Sequence, residues 1–359
     1  MKSKEWSIFL SLAPGVGAKT YSRLITALGS AKAVFEASKK ELEAIPGIRP
    51  SVIETLLSPG TLLEKGEKVL RDLQEQKIGY ITLGQEGYPL SLKTIPYPPP
   101  VLYCKGDPSI LKEPCFTVVG TRGASPYGLD MAFNLSKGLA HAGLVIISGL
   151  ARGIDTAAHR GALSTGTTAA FLGSGLDSLY PPENRRLAQS IVEKGGAIFS
   201  PYPLETPPER GHFPRRNLLM AALGTGVLVV EAGEKSGALM TAHYARNMGK
   251  EIFALPGPVG PSRTKGVHIL IKEGAHLIED TQDILNILHI KGKKAPEKPP
   301  MSETEKRVWE TLEEGALPIE VLMEKCDLTL QEAYSLLLQM ELKGLVASGG
   351  GNIFMRRAL

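Results

Sequence analysis

Short apolar runs alternate with helical patterns through the middle of the chain. Each run is short enough for a buried strand, and the gaps between runs carry apolar residues at helical spacing, as in Leu129, Ala132, Leu135 and Leu139. Such alternation predicts an α/β fold with a doubly wound, mostly parallel sheet covered by helices on both faces. The predicted strands are residues 116–119, 144–147, 168–172, 197–199, 227–230 and 251–255.

The pattern changes on either side of this region, which we delimit as a middle domain at 79–290. Residues 1–78 alternate helical patterns with glycine turns and predict a helical domain, similar to a SAM domain or a helix-hairpin-helix. The turn in LAPGVGAKTYSRL (12–24) fits equally a hairpin that offers backbone N–H groups to a phosphate and a plain turn in a helical bundle.

Residues 291–300, KGKKAPEKPP, have almost nothing apolar to bury and predict a linker. Residues 301–359 then predict three short helices followed by a glycine-tipped hairpin, which is the pattern of a winged helix. The third of these helices carries few basic residues. A role in protein contacts is therefore at least as reasonable as reading a major groove.

Composition argues against a membrane protein and against a protein stabilised by disulfides or zinc. No run of about 18 apolar residues is present, so we expect no membrane span. Cys104, Cys115 and Cys326 lie far apart, which argues against disulfides and zinc and fits a reducing cytoplasm. The net charge is only +4 among 359 residues, so a polyanionic partner would have to bind at a local basic cluster.

Glycine-rich turns that carry basic residues follow the predicted strands. They read GTRGASPYG (120–128), SGLARGIDTAAHRGAL (148–163), GSGLDSLYPPENRRLA (173–188), FPRRN (213–217) and VVEAGEKSGALM (229–240). One such turn is needed merely to fold the chain. Several at one edge of a parallel sheet predict a basic pocket whose backbone N–H groups and guanidinium groups bind a string of phosphates.

Other ligands and an enzymatic role find less support. The dinucleotide fingerprint and the Walker A motif are missing, so NAD and ATP are not expected, and no cofactor or metal is predicted. Asp155 is best interpreted as a helix cap or as a partner for an arginine, and His159, one helical turn later, as a partner for Asp155. Glu231 is expected to pair with Lys235. We therefore predict no catalytic residue.

In order and spacing, these motifs resemble the DNA-processing protein A family (DprA, also called Smf), and the resemblance covers the middle region almost from end to end. It implies a Rossmann-like domain that binds single-stranded DNA, dimerises and helps to load the RecA recombinase in natural transformation, without catalysis. The residues carried over for DNA binding are Gly120, Thr121, Arg122, Ser148, Gly149, Arg152, Gly173, Ser174, Arg215, Arg216, Asn217 and Lys235.

The chain departs from the family pattern at two positions. Pro182 stands where many members have a basic residue, so Arg185 or Arg186 takes that role in our prediction, and Leu218 replaces an arginine. Bases would stack on few aromatic residues, with Tyr127, Tyr180 and Phe213 as candidates. The competing hypothesis is a nucleotide-processing enzyme similar to a phosphoribohydrolase, although its paired glycines and helical glutamate are missing here.

Overall fold

The computed structural model of the chain describes residues 3–290, 301–349 and 351–356. Contacts divide the chain into two compact units, Met1–Gly292 and Lys293–Leu359. The linker predicted at 291–300 lies outside the described residues. Within the described ranges no helix is both long enough and apolar enough to span a bilayer.

The first unit begins with short helices joined by tight turns. They are α1 (Ser3–Leu12), α2 (Ala18–Leu28), α3 (Ala31–Glu36), α4 (Lys39–Glu43), α5 (Pro50–Leu57) and α6 (Gly60–Glu75). Their apolar side chains, among them Phe9 and Leu24, form a cluster that also takes in Val101 and Tyr103 from the following sheet. The helices thus pack on the sheet, and a domain boundary at residue 78 stays a prediction.

The sheet of the first unit has the predicted parallel centre. Its strands are β1 (Gly79–Thr82), β2 (Val101–Gly106), β3 (Cys115–Val119), β4 (Val145–Ser148), β5 (Thr168–Phe171), β6 (Ala197–Ser200), β7 (Gly226–Val229), β8 (Glu251–Ala254) and β9 (His276–Leu277). They are ordered β1-β2-β6-β5-β4-β3-β7-β8-β9. Strands β3 to β9 run parallel, whereas β2 is antiparallel to both β6 and β1. The predicted fold class is confirmed.

Helices cover both faces of this sheet. They are α7 (Leu90–Lys93), α8 (Pro126–His141), α9 (Ile154–Thr165), α10 (Arg185–Glu193), α11 (His212–Leu223), α12 (Gly237–Asn247), α13 (Ser262–Lys272) and α14 (Thr281–Ile287), with 3₁₀ turns at Pro108–Lys112 and Pro182–Asn184. Alternate strand residues explain the two layers. Phe116 and Val118 face α8, α9 and α14, while Val119 and Val229 face α11, α12 and α13.

The strand order reverses between β3 and β7. From β3 the chain proceeds outward to β4, β5 and β6, then returns to place β7 on the other side of β3. Ligands of open parallel sheets bind beyond the carboxyl ends of the strands near such a point. The loops that follow β3, β4, β5 and β7 therefore form the region in which to look for a site.

The second unit has the predicted winged-helix architecture. It contains α15 (Glu303–Thr311), a 3₁₀ turn at Leu312–Glu314, β10 (Leu317–Pro318), α16 (Ile319–Cys326), α17 (Leu330–Leu342), β11 (Val346–Gly349) and β12 (Ile353–Arg356). The strands are ordered β10-β12-β11. Val308, Leu322, Leu337 and Phe354 belong to an apolar core that contains residues of this unit alone.

Candidate nucleic-acid interface

A pocket opens at the carboxyl ends of β3, β4 and β5, beside the first turn of α11. It is lined by residues from four separate segments, and we call it the arginine pocket. The lining residues are Arg122, Gly149, Ala151, Arg152, Tyr180, Pro181, Phe213 and Arg216. The fold thus brings together Arg122, Gly149, Arg152 and Arg216 from the predicted set.

Arg216 forms the floor of the arginine pocket. Its side chain projects from α11, the residue is only 5% exposed, and Nη1 donates a hydrogen bond of 3.0 Å to the carbonyl oxygen of Phe171. A Cβ on Gly149 would lie 1.4 Å from this Nη1, so only glycine allows the close approach of loop and guanidinium. Gly149 is therefore required for the Arg216 guanidinium to pack against this loop.

A buried carboxylate stands beside this arginine. Asp155 Oδ2 accepts hydrogen bonds from the backbone N–H groups of Gly149, at 3.1 Å, and Ala151, at 3.3 Å. Burial raises the pKa of Asp155 and lowers the pKa of Arg216, and the charge of each residue opposes the shift in the other. These two N–H groups were predicted to be available to a phosphate, but they are already used inside the protein.

The other two arginines of the pocket differ in their partners. Arg152 pairs with Glu183 at the surface, with 62% of the arginine side chain exposed. Arg122 is exposed, and no carboxylate within the described ranges lies at ion-pair distance from it. Three guanidinium groups thus face two carboxylates, Asp155 and Glu183. The pocket keeps a net positive charge, and Arg122 carries it.

Aromatic side chains stand next to these charges. The guanidinium carbon of Arg122 lies 5.5 Å from the ring centre of Phe213, and that of Arg216 lies 5.9 Å from it. The Tyr180 ring meets Phe213 edge-on at 6.3 Å. Tyr127, the third stacking candidate, lies outside the lining and donates a hydrogen bond to the carbonyl oxygen of Pro256.

Several residues of the predicted set shape the loops from behind the pocket. A Cβ on Gly120 would lie 2.5 Å from Ile154, and one on Gly173 would lie 2.9 Å from Phe213. The Ser148 hydroxyl donates to the carbonyl oxygen of Val118 at 2.6 Å. Thr121 Oγ1 accepts from the N–H of Gly123 at 3.3 Å, and the buried Ser174 accepts from Ser200 through its backbone oxygen.

The remaining basic residues of the predicted set lie apart from the lining. Arg185 and Arg186 are exposed at the start of α10, and Lys235 is exposed in the loop after β7. Asn217 donates from Nδ2 to the carbonyl oxygen of Gly237 at 3.1 Å. Arg215 donates to the carbonyl oxygens of Pro96 and Tyr97 and lines a different cavity. The two neighbouring arginines of α11 therefore face different pockets.

Two side-chain pairs expected from the sequence are wrong. His159 Nδ1 lies 2.7 Å from Thr168 Oγ1, which itself donates to Ile146, so the His159 proton is on Nδ1 and Asp155 is not its partner. Glu231 accepts from the backbone N–H and the hydroxyl of Ser125, and its ion-pair partner is Arg263 at 3.6 Å instead of Lys235. In both cases the actual partner lies farther away in the sequence than the expected one.

Glu231 occupies a position with a special meaning in this fold. It follows β7 at the point of strand reversal and, with Ser125, caps the N-terminus of α8. A Cβ on Gly128 in the first turn of α8 would lie 2.6 Å from the Glu231 carboxylate. A helix N-terminus at such a point often binds a nucleotide phosphate. Here a carboxylate of the chain already fills that position.

Asn184 is a contributor that the sequence analysis missed. Its Nδ2 donates to the carbonyl oxygen of Leu150 at 2.8 Å and to Thr156 Oγ1 at 2.9 Å, which ties the segment before α10 to the loop after β4. In the sequence, Asn184 lies in a turn between two prolines and two arginines, and nothing in that pattern indicated that its side chain would bind another loop. Among the described residues, no three His, Cys, Asp or Glu side chains are grouped as metal ligands.

Comparison with known proteins assigns the family. The model for DNA recombination-mediator protein A matches residues 79–289, and that for the DprA winged helix domain matches residues 292–352. Protein Smf of Escherichia coli (strain K12) is 37% identical over 302 residues, which are 80% of each chain. The DNA processing protein DprA of Bacillus subtilis (strain 168) is 39% identical over 62% of this chain and 75% of its own.

Solved structures agree with these sequence matches. DNA processing protein A from Streptococcus pneumoniae superposes with a TM-score of 0.67 and 32% identity over 82% of this chain and 99% of its own. DNA processing protein A from Helicobacter pylori, described for its unique single-stranded DNA binding mode, gives a TM-score of 0.54 and 33% identity over 60% of this chain and 97% of its own. The chain therefore belongs to the DNA recombination-mediator protein A family, whose members take part in DNA processing.

Proposed function

We propose that this chain binds single-stranded DNA in the arginine pocket and acts as a recombination mediator without catalysing a reaction. The observation that carries the proposal is the meeting of Arg122, Arg152 and Arg216 with the rings of Phe213 and Tyr180. Binding of a single strand needs both a positive track for phosphates and rings on which bases can stack. The arginine pocket offers both within one opening.

The Helicobacter pylori relative supports this ligand. That protein is described for its single-stranded DNA binding mode and is 33% identical to this chain over the aligned residues. We propose that Gly120, Thr121, Ser148, Gly173, Ser174 and Asn217 shape the site from behind, while Arg185, Arg186 and Lys235 extend its positive field outside the pocket. Arg215 was predicted to belong to this site, and we now assign it to the neighbouring cavity.

A non-enzymatic role is consistent with the hydrogen bonds made by three candidate acid–base side chains. Asp155 is hydrogen bonded to the loop after β4, His159 is buried against Thr168, and Glu231 caps α8. An acid or base must reach a reacting group to be catalytic, and these three side chains are held elsewhere. The phosphoribohydrolase alternative therefore has less support.

Family membership supports a proposal about the wider role. We propose that the protein forms a homodimer, works in the cytoplasm and helps to load a RecA recombinase on single strands, including strands taken up in natural transformation. A mediator must bind DNA whatever its sequence. A pocket that contacts phosphates and stacks bases has that property, because neither interaction reads the hydrogen-bonding edge of a base.

Fluorescence anisotropy with labelled oligo-dT at several salt concentrations tests the proposal. Arg122→Ala should lower affinity and reduce the salt dependence by about one phosphate contact, a change of roughly 0.7 in the slope of log K against log salt. Phe213→Ala should weaken binding by about 1–3 kcal/mol, the usual range for one stacked base.

Arg71→Ala is the matched control, because Arg71 is an exposed arginine on α6 that lies outside the pocket. Wild-type affinity and slope in both pocket variants would place the strand elsewhere on the molecule. Release of the base from AMP by the purified protein would instead support the enzyme.

A further inference from the structure

A second cavity lies between the N-terminal helices and the sheet, within the unit Met1–Gly292. It has a volume of about 260 Å³, and we call it the proline cavity. Four prolines, at positions 99, 100, 201 and 203, contribute to its walls together with Tyr202. Their rings offer apolar surfaces against which a planar ring can pack.

Arg215 gives this cavity a positive charge. The guanidinium donates to the carbonyl oxygens of Pro96 and Tyr97, which orient it but do not neutralise it. No described residue that lines the cavity is an aspartate or a glutamate. Burial lowers the pKa of Arg215, as expected for a cation that is partly removed from water without a carboxylate beside it.

The N-terminus of α2 adds to this positive field. Gly17 and Ala18 line the cavity, and Gly17 is the N-cap of an 11-residue helix in which no side chain accepts from the first free N–H groups. This is the turn in LAPGVGAK that the sequence left open between a phosphate-binding hairpin and a simple bend. Its N-cap and first helical residue face the same cavity as Arg215.

Tyr103 is an independent polar feature of the wall. It is 1% exposed, and its hydroxyl makes no hydrogen bond of normal geometry to any described residue. Ser11 lies beside it, and because the Ser11 hydroxyl donates to the carbonyl oxygen of Ile8 at 2.7 Å, it can act towards Tyr103 only as an acceptor. A buried phenol that makes no well-aligned hydrogen bond is costly, and a polar ligand atom in the cavity would improve its hydrogen bonding.

The proline cavity adjoins the arginine pocket through the first turn of α11. Phe213 and Arg216 face the arginine pocket, whereas Arg215 faces the proline cavity. His212, at the start of the same turn, stacks on Tyr202 with ring centres 3.9 Å apart. A chain of nucleotides that leaves one pocket could therefore continue over this turn into the other.

We propose that the proline cavity is a second nucleotide subsite, in which a phosphate binds between Arg215 and the N-terminus of α2 and the base packs against the proline rings and Tyr202. The proposal rests on the proposed function, since it extends the path of the same strand. The ligand chemistry is that of a nucleotide, whose source is either the bound strand or a free mononucleotide.

Gly17→Asp tests this subsite without threatening the fold. Gly17 has an extended conformation with φ −79°, and a Cβ there would have nothing within 4 Å, so a side chain is accommodated. Aspartate is a preferred N-cap residue, but its carboxylate would occupy the position proposed for the phosphate. Gly17→Asn is the matched control, because it has the same shape and capping ability without the charge.

Titration calorimetry would measure the binding of oligo-dT and of thymidine monophosphate to the full chain. We expect Gly17→Asp to bind at least one of them about tenfold more weakly than Gly17→Asn, as for the loss of one charge-assisted hydrogen bond. A loss confined to oligo-dT would identify the strand as the source, and a loss with thymidine monophosphate would identify the free nucleotide. Equal affinities of the two Gly17 variants for both ligands would overturn the subsite.

Arg122→Ala separates this proposal from the proposed function. That variant should weaken oligo-dT binding and leave the binding of any thymidine monophosphate in the proline cavity unchanged. If only Arg122→Ala left the affinity for oligo-dT unchanged, the arginine pocket would be contradicted. If only Gly17→Asp left the affinities unchanged relative to Gly17→Asn, the proline cavity would be contradicted.

Discussion

Individual residues set the charge of the arginine pocket through their partners. Arg216 is balanced by Asp155 and Arg152 by Glu183, which leaves Arg122 as the arginine with surplus charge. The pair between Arg152 and Glu183 is exposed, so water and salt screen it, and a phosphate can compete with the carboxylate for the guanidinium. In the proposed function, Glu183 therefore competes with DNA phosphates for Arg152.

Glu183→Gln should raise the affinity for oligo-dT at low salt, because Arg152 would then be available to a phosphate. An exposed ion pair is worth about 0.2–1 kcal/mol, so the gain should be up to about fivefold. Anisotropy would measure it. Glu234→Gln is the control, since it also removes one negative charge and breaks an exposed pair, with Lys265. An equal gain in both variants would indicate a general charge effect.

The sequence predicted the arginines of this site better than their partners. Arg122, Arg152 and Arg216 could be found because each lies within a glycine turn or at a helix start after a predicted strand. Glu183 is 31 residues from Arg152, and pairing at that distance depends on how two loops pack. Arg215 lies outside the arginine pocket for a related reason. Neighbouring residues on a helix point about 100° apart, so they need not face the same pocket.

At the scale of elements, α9 is held against the sheet by a buried histidine. His159 is fully buried, its Nδ1–H donates to Thr168 on β5, and its Nε2 has no hydrogen-bond partner among the described residues. Burial lowers the pKa of His159 to about 3, with the positive charge of Arg216 as a smaller cause. The ring therefore stays neutral over the physiological range of pH.

This histidine should make the unfolding free energy sensitive to acid. Its pKa is lower in the folded state than the ordinary value near 6.5. The unfolded chain consequently binds the extra proton first, and stability is complete above about pH 6.5 and falls as the pH decreases towards 3. At pH 5 the loss from this group should be about 2 kcal/mol.

Urea unfolding at pH 7.5 and pH 5 would measure that loss, with His159→Asn as the variant that keeps an N–H near Thr168 but cannot titrate. The wild type should lose more stability between the two pH values than the variant does. His243→Asn is the control, because His243 is exposed on α12. If His159→Asn showed the same pH dependence as the wild type, another group would be responsible.

The elements of the sheet were predictable where burial was complete. Strands β3 to β8 coincide with the apolar runs of the sequence. The core strands β3 to β7 are buried throughout. The sequence analysis missed β1, β2 and β9. Strand β1 is half-exposed, β2 ends in two exposed residues after a proline-rich segment, and β9 has only two residues. The edge strands β1 and β9 bury too little apolar surface to leave a clear pattern, whereas β2 is an inner strand whose buried residues 101–104 come directly after a run of prolines that breaks the pattern.

At the scale of the whole molecule, the two units have separate cores. The arginine pocket and its two neighbouring carboxylates, Asp155 and Glu183, belong to Met1–Gly292, whereas α17 belongs to the second unit. On α17, Leu330, Tyr334, Leu338 and Leu342 are exposed at every fourth position, and the residues between them are not basic. This surface suits contact with protein better than contact with DNA.

Removal of residues 293–359 should accordingly leave the affinity for oligo-dT unchanged, because no proposed DNA contact would be lost. The same anisotropy assay, with the full chain measured in parallel, would check this expectation. Circular dichroism would establish that the shortened chain is folded. A marked loss of affinity in a folded protein would show that the winged-helix unit contributes to binding.

The sequence predicted the order of the regions but not their mutual dependence. The N-terminal helices were expected to form a domain up to residue 78, yet their apolar cluster includes Val101 and Tyr103 from β2. No pattern within 1–78 shows that a later strand completes the cluster. The proline cavity lies at this junction, which is why sequence reasoning could not anticipate it.

The position of Glu231 determines whether the crevice at the strand reversal can bind a nucleotide. In related sheets the crevice beside the reversal of strand order receives a nucleotide. Here the Glu231 carboxylate of the chain itself occupies that position, where it accepts hydrogen bonds from Ser125. A nucleotide phosphate could take this helix N-terminus only by displacing Glu231, so a single strand bound as we propose would not share its site with a nucleotide at the crevice.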